Sequence, residues 1–279
     1  VWPGGARGAL CLSFDNLGEA AELELGALSA DAQLGEHFTA TRALPSLLDL
    51  LQKREIAATF FVEGLNAEIY PDLLREIDAR GHEIAYHAWR HEQWGDLTAA
   101  EQEENLARGI AAFEALGIEL AGIRPPGGQL GPGGVGMLHD AGLHYCSPAG
   151  EGMGIEDGVA LLPFQWRHVD ASCVLPALGT VREQMASSPE PLDPDACLAY
   201  LEGEVSRLAV AGGFAAFVLH LPMFDWWGEE RLNTLLDQLT ESSAERRLWL
   251  APCRAAAEHV LAHPDAFRNS ATLDPTSWA

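Results

Sequence analysis

The sequence predicts an α/β fold in which seven or eight strand–helix units close into a barrel. Three observations carry this. Short apolar runs alternate with amphipathic stretches along nearly the whole chain, the order that builds βα units around a parallel sheet. Of the 279 residues, 48% are apolar, enough to bury a large core and too many for general disorder. No composition break or internal repeat divides the chain. One domain over 1–265 is therefore expected, followed by a loose tail at 266–279. That many units favour closure over a doubly wound sheet.

Taken in order, the first strand is expected over 9–14, followed by a loop-rich stretch at 18–40. A helix over 42–53 leads to a second strand at 57–62. The helix over 68–80 takes Asp72 as its start and Gly81 as its stop, ahead of a strand at 83–86. Thr98, with carboxylates just behind it, opens a helix over 98–116 that Gly117 ends. Strands at 120–124, 143–147 and 159–162 follow, with a helix over 133–141 between the first two. A second loop-rich stretch spans 171–192. Helices over 194–211, 229–240 and 252–263 then alternate with strands at 215–219 and 248–251.

Charge narrows the partners. The chain carries 17 basic and 41 acidic residues, a net −24, and Lys53 is its one lysine. Such a polyanion is repelled by nucleic acid and by anionic membrane surfaces, and no run reaches the roughly 20 apolar residues of a membrane span. A small molecule or a glycan is the expected partner. The five cysteines, at 11, 146, 173, 197 and 253, are scattered and odd in number. That speaks against a disulfide framework and for a reducing compartment. With no leader pattern at Val1-Trp2-Pro3-Gly4-Gly5, the expectation is cytoplasmic.

In a barrel the catalytic groups stand where strands end. The first strand runs into Asp15 and Asn16, and the third into His87 and His91. The fourth runs into Arg124-Pro125-Pro126-Gly127-Gly128. Trp166 and Asp170 lie near the sixth, and the seventh ends at His220. His87 and His91 are four apart, so on a helical turn both imidazoles would leave one face and share a metal ion. As an isolated pair they also read as solvated or capping histidines; the other strand ends give them a context.

The order Ser13-Phe14-Asp15-Asn16, Ala58-Thr59-Phe60-Phe61-Val62, Gly81-His82-Glu83-Ile84 with His87 and His91, Arg124-Pro125-Pro126-Gly127, and Leu219-His220 resembles the NodB-type polysaccharide deacetylases, carbohydrate esterase family four. The resemblance covers about 9–222. Leu44-Pro45-Ser46-Leu47-Leu48-Asp49-Leu50-Leu51 looks most like the branch holding peptidoglycan deacetylase-like proteins and cofactor-independent allantoinases, whose members often form homo-oligomers. The resemblance implies a distorted (β/α) barrel and hydrolysis of an amide, usually the N-acetyl group of an amino sugar. It implies Asp15 as general base, His220 as general acid, Arg124 as partner of Asp15 and Asp170 as partner of His220. It makes His87, His91 and Asn16 the metal ligands, with zinc suited to the nitrogen-rich set. Asn16 departs from the pattern, because the family places an aspartate there. Three readings follow: Asn16 ligates through its amide oxygen, a carboxylate such as Glu19 substitutes, or the metal is lost.

Pro126, Gly127, Trp166, Trp226 and Trp227 lie close to motif positions and read as substrate-binding, since aromatic faces suit a pyranose. Trp89 and Trp94 read as packing, and Cys146 as a buried thiol. The glycine-rich stretches at 131–134 and 150–154 lack the Gly-Lys-Ser/Thr ending of a phosphate loop, so no nucleotide cofactor is expected. Two rival readings stand beside metal-dependent deacylation. One is a metal-independent amidohydrolase acting on a small cyclic or acylated amide. The other is a non-catalytic carbohydrate-binding barrel, against which the joint presence of Asp15, Arg124 and His220 speaks.

Overall fold

The computed structural model describes residues 2–268 and 271–274. Its strands are β1 (Gly8–Asp15), β2 (Thr59–Val62), β3 (Glu83–Tyr86), β4 (Gly122–Ile123), β5 (Tyr145–Cys146), β6 (Gly150–Glu151), β7 (Gly154–Glu156), β8 (Val159–Leu161), β9 (Gly213–His220), β10 (Leu248–Leu250) and β11 (Thr272–Leu273). Nine of them form one curled sheet. β1 is flanked by β9 along its full length and by β10 and β2 on its other side. From there the sheet continues through β3, β4, β5 and β8 to β7. All pairings are parallel except β7 with β8. A bridge from Val169 to Val218 carries the chain after β8 across to β9, bringing the curled sheet toward closure. The eight strands expected from the apolar runs are all present, and the fold is the α/β barrel the sequence implies.

The strands follow a two-residue period that decides where the chemistry goes. Leu10, Leu12 and Phe14 of β1 face the helices, in one apolar cluster with Leu47, Leu74 and Leu235. Ala9 and Cys11 face the other way, into a second cluster with Phe61, Ala85, Tyr145 and Val218 inside the barrel. Ser13 and Asp15 share that inward phase. So does His87 after Ala85, and so does His220 after Val218. Three side chains of the candidate site thus reach the barrel mouth by alternation alone.

The helices lie close to their expected spans, except that the one expected over 68–80 is broken at Tyr70 into Asn66–Ile69 and Pro71–Ala79. Thr98 caps the helix Ala99–Glu114 through a reciprocal pair with Glu101, whereas Asp72 sits inside the first turn of the helix Pro71–Ala79, behind Pro71. The stretch 171–192 is more ordered than expected and contains the helix Gly179–Ala186. Thr272 and Leu273, in the segment read as a tail, pair antiparallel with Glu151 and Gly150. The remainder of that segment at 269–270 and 275–279 lies outside the described residues.

One reading is overturned. Cys173 and Cys197 form a disulfide, with Cα atoms 6.2 Å apart, while Cys11, Cys146 and Cys253 are buried free thiols. A pairing made by tertiary contact between a loop and the helix Pro194–Ala211 leaves no local motif to read. The argument for a reducing compartment therefore fails for two of the five thiols. Among the described residues, no helix is long and apolar enough to cross a membrane.

Candidate active site

At the C-terminal edge of the sheet lies a cavity of about 340 Å³, lined in part by Asp15, Asn16, His87, His91, Arg124 and His220. Asp15 and His220 are directly paired neighbours on β1 and β9. Asp15 is 2% exposed, and its Oδ1 accepts a hydrogen bond of 2.7 Å from the Arg124 guanidinium. Burial pushes the Asp15 carboxyl above its usual range, with Arg124 and His220 pulling it back down.

Arg124 is buried and makes four side-chain hydrogen bonds. It donates to Ser13 Oγ at 2.7 Å and to Ser147 Oγ at 3.1 and 3.3 Å, and its guanidinium lies 3.9 Å over the Phe61 ring. The sequence reading missed both serines. Ser13 carries a signal, since it stands two residues before Asp15 on the same strand face. Ser147 carries a weaker one as the first residue after β5.

His220 Nδ1 lies 2.6 Å from Asp170 Oδ1, leaving Nε2 as the ring nitrogen free for the cavity. Asp170 is wholly buried; its Oδ2 also accepts from the His220 backbone N–H at 2.9 Å and from Trp227 Nε1–H at 3.0 Å. Burial alone would lower the proton affinity of His220. The Asp170 carboxylate, helped by Asp15, outweighs it and holds the imidazole above its ordinary range.

The His87 Nδ1 lies 2.8 Å from the Arg124 carbonyl oxygen. A carbonyl only accepts, so Nδ1 carries the proton and the bare Nε2 faces Asp15 Oδ2 at 3.8 Å. The His87 and His91 ring centroids are 4.9 Å apart, yet no helix joins them. The segment is a bent loop in which Ala88 and His91 adopt positive φ of 61° and 77°, strained for non-glycine residues. The helical-turn expectation is corrected on this point: the pair meets because the backbone folds back, not through helical spacing. Burial, reinforced by each other's proximity, depresses His87 well below the histidine range. Burial also holds His91 down at about 4. Both imidazoles are therefore neutral near pH 7, the form that binds a metal.

Asn16, also at positive φ (61°), presents a buried Oδ1 with no hydrogen-bond partner, and His91 Nδ1 is likewise unpartnered. Among the described residues, no three His, Cys, Asp or Glu side chains gather as a metal site. Two neutral imidazoles and an orphaned amide oxygen nevertheless form a donor set that fits a divalent ion. Glu19 does not supply the missing carboxylate: its oxygens accept from the Tyr70 hydroxyl at 2.6 Å and the Gly35 N–H at 2.8 Å. Glu63, the first residue past β2, was overlooked although it too stands at a strand end. It is wholly buried, and burial raises its carboxyl to about 8.

The expected substrate-binding residues divide. Gly127 and Trp166 line the cavity. Pro126 is buried and leaves that place to Pro125 and Gly127. Trp227 is corrected to a support, because its indole N–H is spent on Asp170. Trp226 packs edge-on against Trp227 and does not line the cavity. The N–H of Gly128, in the turn at 127–128, is bonded to the Pro125 carbonyl. Trp89 and Trp94 are buried packing residues.

Residues 27–146 match the family model described as polysaccharide deacetylase. This stretch of the chain resembles the polysaccharide deacetylases. A peptidoglycan-N-acetylglucosamine deacetylase of Bacillus cereus is 33% identical over 86 residues, 31% of this chain and 40% of that protein. The chain thus matches less than half the length of that relative. A solved Mycobacterium smegmatis structure assigned to the polysaccharide deacetylases superposes with a TM-score of 0.79. It is 24% identical and covers 99% of this chain and 97% of the other. The Puue allantoinase gives 0.72 at 20% identity, covering 94% and 93%. Both structural likenesses speak to the fold.

Proposed function

We propose that this domain hydrolyses an amide, removing an acyl group from an amino sugar or a related small molecule. The observation that supports this best is a buried carboxylate and a partly buried imidazole side by side at the ends of β1 and β9, both lining one cavity. A buried carboxylate, Asp15, is oriented by Arg124, and an imidazole, His220, has its proton affinity raised by Asp170. A carboxylate held by an arginine beside an imidazole charged by a second carboxylate can divide base and acid roles.

In this mechanism Asp15 takes a proton from water as its oxygen bonds to the carbonyl carbon. His220 Nε2 delivers a proton to the leaving nitrogen as the C–N bond breaks, and Asp170 stabilises the imidazolium beforehand. Arg124 holds Asp15 ionised and its oxygens fixed. His87, His91 and Asn16 Oδ1 would hold a divalent cation, zinc best matching the nitrogen donors, which would polarise the carbonyl and favour ionisation of water. The uncharged Asn16 also supports a second reading, a metal-independent amidohydrolase working with Asp15 and His220 alone.

The test is elemental analysis of the purified protein combined with amine release from N-acetylchitooligosaccharides and N-acetylglucosamine, before and after chelation. About one ion per chain and activity restored by zinc are expected. Full activity in metal-free protein would select the second reading.

A further inference from the structure

The lining of the cavity is of two kinds. The polar groups sit at the strand ends described above, joined by Gln93; the apolar ones include Phe164, Val169, Val174, Leu175, Val218 and Met223. Leu25 and Leu175, 67% and 48% exposed, are among the lining residues too.

This wall is built and held rather than incidental. Buried Arg182 donates to the carbonyls of Ser172, Leu175 and Pro189 at 2.9, 2.6 and 2.8 Å. The Leu192 N–H bonds to the Cys173 carbonyl at 2.8 Å, and the disulfide to Cys197 ties the same segment to a helix.

We propose that the amide accepted here carries a hydrocarbon group longer than the methyl of an acetyl, seated against Val174, Leu175, Val218 and Met223. This rests on the hydrolytic reading above and specifies its substrate class: a partly apolar N-acyl compound.

The experiment uses two ladders with the zinc-supplemented protein, both followed by amine release. One is N-acetyl-, N-butyryl-, N-hexanoyl- and N-octanoylglucosamine; the other is N-acetylated butyl-, hexyl- and octylamine. The expected result is a rise in kcat/KM of roughly four-fold per methylene along one ladder, which also assigns the hydrocarbon to the acyl or the amine side. Leu175→Asp, at an exposed position, should flatten that slope. Turnover of N-acetylglucosamine with a flat or falling trend in both ladders would overturn the proposal and leave the hydrolytic reading standing. With no amine released from any member, the hydrolytic reading fails. Calorimetric titration of the same compounds then decides the apolar wall, affinity rising with chain length supporting it and no trend overturning it.

Discussion

Replacing Asp170 by asparagine perturbs the best-defined interaction of the site. The wild-type carboxylate is wholly buried and accepts three hydrogen bonds, at 2.6, 2.9 and 3.0 Å. An amide of the same shape has one accepting atom, so its NH₂ must oppose either His220 Nδ1–H or the two donors on Oδ2. Breaking a buried, charge-assisted pair in this way costs about 3–5 kcal/mol. The charge matters as much as the geometry. Asp170 holds His220 above its ordinary range, so the pair's contribution is complete below the unfolded histidine value of 6.5 and fades as pH rises through the folded value. Asp170→Asn should therefore be most destabilised in mild acid and progressively less so in alkali, as read by urea unfolding across pH. In kinetics, the alkaline limb of kcat/KM should move toward acid, with the maximum reduced roughly 10²–10⁴-fold. Equal destabilisation at all pH values together with an unmoved limb would refute the argument that Asp170 acts through the His220 charge.

Other consequences can be checked directly. His87→Ala should lose the divalent ion bound by the wild-type protein, measured by elemental analysis. Arg124→Met should leave the buried Asp15 without its counter-charge and cost about 3–5 kcal/mol, visible as a lowered denaturation midpoint. Glu63, whose carboxyl burial raises from 4.5 to about 8, binds its proton more tightly when folded, so wild-type stability should decline across that window. Glu63→Gln should flatten the decline. Cysteine-to-serine replacement at 173 and 197 opens a bridge spanning 24 residues. It should lower stability by about 3 kcal/mol and remove the effect of dithiothreitol on unfolding.

The barrel was legible because most of its strands are buried on both faces and its helices are periodic, so apolar runs located every strand of the nine-stranded sheet but β7. Asp15, His87 and His220 were legible for a related reason: each ends a strand in the inward phase of a two-residue alternation. His87 and His91 were paired correctly through the wrong local structure. Spacing of four fits a helix, whereas the chain instead spends positive φ at Ala88 and His91. Support by Trp227 and the Cys173–Cys197 bond was hidden, because both depend on contacts made across 57 and 24 residues. The apolar wall was hidden too, since Val174 and Leu175 sit in a stretch without periodicity and are held by Arg182 from further along the chain.

The most direct test of the central claim is release of free amine from N-acylglucosamines by the zinc-supplemented wild type, Asp15→Asn and His220→Ala, with folding of each verified by circular dichroism. The account predicts turnover by the wild type and a loss of at least about 10²-fold in each variant. Wild-type rates in a folded Asp15→Asn protein would contradict it.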